Sequence, residues 1–343
     1  MKEAMLYSKE AGNRVRCRLC RHGCAIDDGK YGICDVRYND GGTLRSIFYA
    51  KPVSMAVDPI EKKPLFHYKP GSLAFSIATP GCNFRCDFCQ NWEISQYRHG
   101  DSPEIGMKEV LPEAVVRNAK AHRCASVSYT YTEPTIFFEY AYDTAKLARA
   151  AGIGNTFVTN GYMTREALDT IRPYLDAANV DLKAFRKDTY RKVMKAQLDG
   201  VCDSIRYMHE IGIWVEVTTL IVPGMNDKDA EIRDIANFIV ETGREIPWHI
   251  SRFTPRYERT DAPPTPLATL RKAYEIGKKA GLRYVYVGNV PGDSSENTFC
   301  YNCGELLIER EGFSISANLI THRSECPKCS SKIDGIDMGG VGK

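Results

Sequence analysis

From about residue 72 to 290, short runs of β-branched and aromatic residues alternate with longer amphipathic stretches. SLAFSIAT (72–79), SVSYTYT (126–132), NTFVTN (155–160), NVDLKAF (179–185), WVEVTTLIV (214–222), WHISRF (248–253) and YVYVG (284–288) have the length and make-up of strands. MKEVLPEAVVRNAKAH (107–122), TIFFEYAYDTAKLARAAG (135–152) and KDAEIRDIANFIVETG (228–243) predict helices, the second closed by Gly152 at a C-cap position. Repeated strand–helix units imply a parallel sheet. The expected fold class is α/β, a partial or full (β/α) barrel spanning 72–296.

The flanks break this rhythm. Residues 1–71 form a Cys-rich N-terminal segment, whose later part, TLRSIFYAKPVSMAVDPIEKKPLFHYKPG, predicts one or two strands and a Pro-rich approach to the barrel. Residues 297–343 form a second appendage in which GELLIEREGFSISANLI predicts a hairpin and the closing GGVGK a frayed end. In parallel barrels the reactive groups sit on loops at the carboxyl ends of strands. The motifs GCNFRCDFC, TEPT, TNG, DLK, VPGMND and FTP all fall at such ends, which predicts a ring of chemistry around one mouth.

The net charge of +3 over 343 residues gives no reason to invoke nucleic acid or an anionic membrane. No stretch approaches the roughly 20 apolar residues of a membrane span, and the N-terminus lacks the apolar core of a secretory signal. A cytoplasmic protein is expected. The 13 cysteines are odd in number and fall into clusters, which argues for metals in a reducing compartment rather than disulfides. Cys124 and Cys202 stand alone and are expected to be ordinary buried thiols.

Cys82, Cys86 and Cys89 supply three thiolates, one fewer than the irons of a [4Fe–4S] cube, so one iron stays open for a small molecule. A closed zinc site would need a fourth ligand, for which His99 is the candidate. Cys300-x2-Cys303-x22-Cys326-x2-Cys329 has the two knuckles of a zinc ribbon. Zinc is the expectation there, with a rubredoxin-like iron or an auxiliary Fe–S cluster as alternatives. Cys17-x2-Cys20-x3-Cys24-x9-Cys34 offers four thiolates at less regular spacing, with His22 as a substitute ligand. Zinc stands slightly ahead of an auxiliary cluster, and structural stapling ahead of electron transfer.

The stretch Cys82-Asn83-Phe84-Arg85-Cys86-Asp87-Phe88-Cys89 resembles the signature loop of the radical S-adenosylmethionine (SAM) superfamily, nearest to enzymes related to the pyruvate formate-lyase activating enzyme. Within these, CRLCRHGC…YGIC, EKKPLFHYKPGS, QNWEIS, SYTYTEPT, VTNGY, DLKAF and the C-terminal cysteine pairs resemble the radical SAM member of the AmmeMemoRadiSam system. The resemblance implies that SAM chelates the open iron of a [4Fe–4S] cluster, that one electron cleaves it to methionine and a 5′-deoxyadenosyl radical, and that this radical takes hydrogen from a substrate. It further implies that Glu133 meets the methionyl ammonium, in a Gly-Gly-Glu-Pro element whose glycines are here Tyr131 and Thr132. Thr159 and Asn160 would lie beside SAM, Asp181 near its ribose, and Lys183 against its carboxylate; His249 would contact SAM or substrate.

Glu133 also reads as a helix N-cap, Asp181–Lys183 as a surface pair and His249 as a structural residue. Activating enzymes often carry an acid where Val158 stands. The implied partners are a flavodoxin or ferredoxin donor and Memo-like and Ammecr-like proteins. The alternatives are a glycyl-radical-enzyme activase and a non-catalytic zinc and nucleic-acid-binding protein. The latter is disfavoured by three acids against one Arg in GELLIEREGFSISANLI.

Overall fold

A computed structural model describes residues 1–100 and 107–339, so most of the closing GGVGK lies outside the described residues. The chain forms an eight-stranded sheet. Its strands are β1 (Ser54–Pro59), β2 (Leu73–Ala78), β3 (Ser126–Tyr129), β4 (Gly154–Thr159), β5 (Ala177–Asp181), β6 (Trp214–Ile221), β7 (Trp248–Arg252) and β8 (Val285–Gly288). From β2 to β8 every neighbouring pair is parallel and the spatial order follows the sequence. β1, from the Cys-rich N-terminal segment, adds antiparallel beside β2. The covering helices are α1 (Pro112–Ala121), α2 (Phe138–Ala150), α3 (Arg165–Ile171), α4 (Leu198–Glu210), α5 (Asp229–Thr242) and α6 (Leu267–Ala280).

Each expected strand forms; six of the seven stop short at the end where a motif begins, and YVYVG keeps its last residue, Gly288. The strand expected over 126–132 stops at Tyr129 because Tyr131 adopts φ 63°, a left-handed conformation that no strand continues through. The helix expected from 107 starts only at Pro112. That proline occupies the first helical position, and the residue before it, Leu111, is extended.

Among the described residues β2 and β8 do not pair, so the barrel is partial. The chain after β1 fills the floor. Phe66 N and His67 N donate to the buried Glu216 carboxylate at 3.0 and 2.8 Å. Lys69 N donates to Ile336 O at 2.8 Å, and Ile336 N to His67 O at 2.9 Å. The C-terminal hairpin, β9 (Leu306–Glu311) and β10 (Ser314–Asn318), thereby packs under the barrel. Its Arg310 guanidinium lies over the Phe66 ring, 4.2 Å from the centroid.

The N-terminal segment docks beside the mouth. Arg21 N donates to Tyr162 O at 3.1 Å and Thr164 N to Leu19 O at 3.2 Å. The buried Arg37 and Glu139 lie 2.8 Å apart, joining the segment to α2. An ion pair so deeply buried costs about 3–5 kcal/mol when one partner is removed.

His67 is fully buried. Nδ1 lies 2.7 Å from Asp334 O and must be the donor, leaving Nε2 to accept from the Tyr286 hydroxyl at 2.6 Å. That arrangement needs the neutral ring, and burial pushes its pKa down to about 4. Because the unfolded chain takes up this proton near pH 6.5, stability is intact above that value and is lost as pH falls towards 4. The loss is about 3 kcal/mol. Urea unfolding of wild type and His67→Asn should show a stability advantage for wild type that shrinks over this window. A pH-independent difference would contradict the neutral-ring assignment.

Candidate functional site

Thr79-Pro80-Gly81 ends β2 and turns into the cysteine loop. Gly81 has φ 101°, and a Cβ there would lie 2.7 Å from Val36 Cγ1 and 3.3 Å from the Cys34 carbonyl oxygen. Glycine is therefore required both by conformation and by the close approach of the N-terminal segment. Past it, Cys82, Cys86 and Cys89 line a cavity of about 380 Å³ at the carboxyl ends of the strands. The same cavity is lined by Glu133, Thr159, Asn160, Asp181 and Lys183, so five of the six expected cofactor contacts converge on the three thiols.

Glu133 is buried and accepts four hydrogen bonds. Thr135 N (3.0 Å), Thr135 Oγ1 (2.5 Å) and Thr159 Oγ1 (2.7 Å) reach Oε1, while Asn160 N (2.8 Å) reaches Oε2. The bond from Thr135 N makes it the N-cap of the turn Pro134–Phe137, so the capping role exists beside the cavity-lining one. Burial raises its pKa, opposed by these donors. Asn160 takes Tyr162 N on Oδ1 (3.0 Å), which directs its Nδ2 to Asn83 Oδ1 (2.7 Å) and towards Cys82 Sγ (3.8 Å).

Lys183 Nζ lies 2.7 Å from Asp181. Burial works against its charge, but Asp181 and the nearby Cys86 outweigh it and raise its pKa. Cys89 Sγ lies 3.0 Å from Ser95 Oγ, and Phe84 N donates to Cys82 Sγ at 3.3 Å. Burial pushes Cys86 up to about 12. His99 stacks on Tyr31, with centroids 4.0 Å apart, and is not among the residues lining the cavity.

His249 is not brought to the cavity. It is the second residue of β7, near the amino end of the strand, and its Nε2 lies 2.7 Å from Glu216 in the barrel floor. It is a satisfied buried histidine, and the expected contact with SAM or substrate is corrected accordingly. Ser251, two residues on and on the same face, lines the cavity instead.

Sequence reasoning missed a second charged group in the wall. Lys63 pairs with Asp58 at 2.6 Å, and the Tyr131 hydroxyl donates to the same carboxylate. Burial lowers Lys63 to about 8. The signal was present: Tyr131 occupies a left-handed position suited to glycine, and this anchored hydroxyl holds it there.

The C-terminal thiols are arranged differently. Cys300 and Cys329 are 3.6 Å apart, Cys303 and Cys326 3.7 Å. Among the described residues, these four are the group of cysteine, histidine or acidic side chains whose ligand atoms all fall within 4.8 Å of one another. Thiolates at 2.3 Å from a tetrahedral ion are roughly 3.8 Å apart, whereas the ligands of a [4Fe–4S] cube stand roughly 6 Å apart. The C-terminal four thus fit one ion. Cys82, Cys86 and Cys89 share a cavity, but their three sulfurs do not all fall within 4.8 Å of one another, which suits a cluster.

A family model described as the radical SAM superfamily matches residues 76–239. An uncharacterized protein of Methanocaldococcus jannaschii is 47% identical over 97% of this chain and 99% of its own length. The pyruvate formate-lyase-activating enzyme of Clostridium pasteurianum is 26% identical over 49% of this chain and 72% of its own. A radical SAM methyltransferase from Sphaerobacter thermophilus superposes with a TM-score of 0.50 at 16% identity, over 70% of this chain and 71% of that one, a likeness of fold. With the cysteine loop, the partial barrel and these relatives in agreement, the chain belongs to the radical SAM superfamily and is an enzyme of that class.

Proposed function

We propose that this enzyme binds SAM beside a [4Fe–4S] cluster held by Cys82, Cys86 and Cys89, and takes a hydrogen atom from a substrate seated over the cavity. The observation that carries this reading is the meeting of three separated thiols and a buried carboxylate in one cavity. Bound there, cluster and SAM supply the 5′-deoxyadenosyl radical. The chain supplies position and dryness. Among the described residues Glu133 Oε2 accepts a single hydrogen bond, leaving capacity for the methionyl ammonium. Lys183 presents a cation to the methionyl carboxylate, and Thr159 and Asn160 fix Glu133 and Cys82 relative to each other. Phe84 and Phe88 help to keep water from the thiols.

A glycyl-radical activase is the second reading, favoured by the relative named as a pyruvate formate-lyase-activating enzyme. Against it, Val158 lines the cavity where activating enzymes often carry an acid. The sequence resemblance supports Memo-like and Ammecr-like proteins as functional partners and a flavodoxin or ferredoxin as electron donor. It also fits a reducing, cytoplasmic setting.

The C-terminal four thiols are proposed as a zinc ribbon. Its knuckles match: Gly304 N donates to Cys300 O and Ser330 N to Cys326 O, each at 2.9 Å, and Gly304 and Ser330 both have positive φ.

Anaerobic protein reconstituted with iron and sulfide should form 5′-deoxyadenosine from SAM and dithionite, and Cys86→Ala should form none. Equal product from the variant would sink the cluster assignment. Glu133→Gln should weaken SAM binding about ten- to a hundredfold, since a charged hydrogen bond contributes about 1.5–3 kcal/mol; SAM titration of the reduced-cluster EPR signal measures this. For the ribbon, mercurial titration should release about one zinc per chain and speed hydrogen exchange across 297–339. Release of iron instead would contradict zinc.

A further inference from the structure

Cys17, Cys20, Cys24 and Cys34 meet around a small cavity on the flank of the barrel. Cys17 ends the strand Val15–Cys17 and Cys24 precedes the strand Ala25–Ile26, the two joined by Cys17 N donating to Cys24 O at 2.9 Å. Cys20 sits in the turn between them, and Cys34 comes from a separate loop. The remaining walls are largely apolar, from Leu19, Ile26, Ile33 and Ile136. His22 also lines this cavity, but its Nε2 lies 2.8 Å from Asn83 O, so that nitrogen is not free to be a ligand.

Four thiols around one cavity would suit either zinc or a cluster by number; spacing separates them. Among the described residues, no three of these sulfurs lie within 4.8 Å of one another, whereas the C-terminal four meet that condition fully. One tetrahedral ion holds its four sulfurs roughly 3.8 Å apart, closer than this set stands in the structure. A cube-shaped cluster needs the wider spread.

Two buried donors point the same way. Asn83 Oδ1 is taken by Asn160 Nδ2, and among the described residues its own Nδ2 is buried without an acceptor. Arg37 Nε is likewise buried with no acceptor among the described residues. Both residues line the cavity. An anionic cluster offers thiolate and sulfide acceptors where zinc with four thiolates offers thiolates alone.

We infer that Cys17, Cys20, Cys24 and Cys34 hold a second [4Fe–4S] cluster, closed by four thiolates and hydrogen-bonded by Asn83 and Arg37. With every iron bound to protein, this cluster has no open site for SAM. It stands one residue from the first: Asn83 follows Cys82, and Gly81 before it packs on the Cys34 carbonyl. The inference is independent of which substrate the enzyme attacks.

The test uses the full chain, reconstituted anaerobically, with metal analysis and EPR. Wild type should carry about eight irons, and SAM should perturb only part of the reduced-cluster signal. The Cys82→Ala/Cys86→Ala/Cys89→Ala variant should keep about four irons and a reduced signal indifferent to SAM. Adding Cys20→Ala and Cys24→Ala to that variant should remove them. Loss of all iron from the triple variant, with or without extra zinc, overturns the inference. So does iron that survives the two added substitutions. Should the triple variant fail to fold, wild type decides alone: about four irons and a signal wholly shifted by SAM would overturn it.

Discussion

A carboxylate taken out of water at the mouth of the barrel, that of Glu133, sets the position of nearly everything around it. Burying a charge is costly unless it is met by donors, and four reach it here. Two come from the turn after β3 and two from the end of β4. The carboxylate therefore stitches together two strand ends that parallel pairing leaves unjoined at this level. Asn160, held to it through the backbone, then reaches Asn83 and the Cys82 thiol. The cysteine loop is fixed by side chains of other strands as well as by its own turns, as a site that must hold a small molecule at one reacting distance requires.

The two ends of the barrel solve opposite problems. The mouth must exclude water yet admit a ligand, so its polar groups line a cavity. The floor has only to be closed. There Glu216 meets His249 and the Phe66 amide, His67 meets Tyr286, and Arg310 donates to Phe66 O and Thr298 Oγ1, so the bonds run from the chain after β1, through β6 and β7, to the C-terminal ribbon. The chain after β1 and the ribbon close this end of the partial barrel through these bonds. A metal held by the four ribbon thiols would thus contribute to the floor of a barrel whose candidate site lies at the other end.

Strands were legible from β-branched runs because a parallel sheet buried on both faces leaves little room for other residues. The ring of motifs was legible because each ends a strand. His249 was misplaced for a related reason: its neighbours RFTP lie at the mouth, but strand direction puts residue 249 one pleat too early. The Asp58–Lys63–Tyr131 group was hidden because its members come from β1, the turn after it and the loop after β3. Nothing in local periodicity links them. Only Tyr131, where a glycine was expected, marked the place.

Cysteine spacing in sequence fixes a metal only when the backbone between the thiols is itself fixed. In Cys300-x2-Cys303 and Cys326-x2-Cys329 a single tight turn joins each pair, so the two pairs converge with sulfurs 3.6 and 3.7 Å apart, a spacing that suits one ion. Cys17 and Cys20 share the same x2 spacing, yet Cys17 is locked into a strand edge and Cys20 into a bridge with Met163 of the barrel loop. Among the described residues, no three of Cys17, Cys20, Cys24 and Cys34 bring their sulfurs within 4.8 Å of one another. The four thiols gather tightly where the segment folds on itself and less so where it is pinned to a larger surface. How closely four thiols gather is therefore set by the tertiary attachment of each knuckle rather than by the count of residues within it.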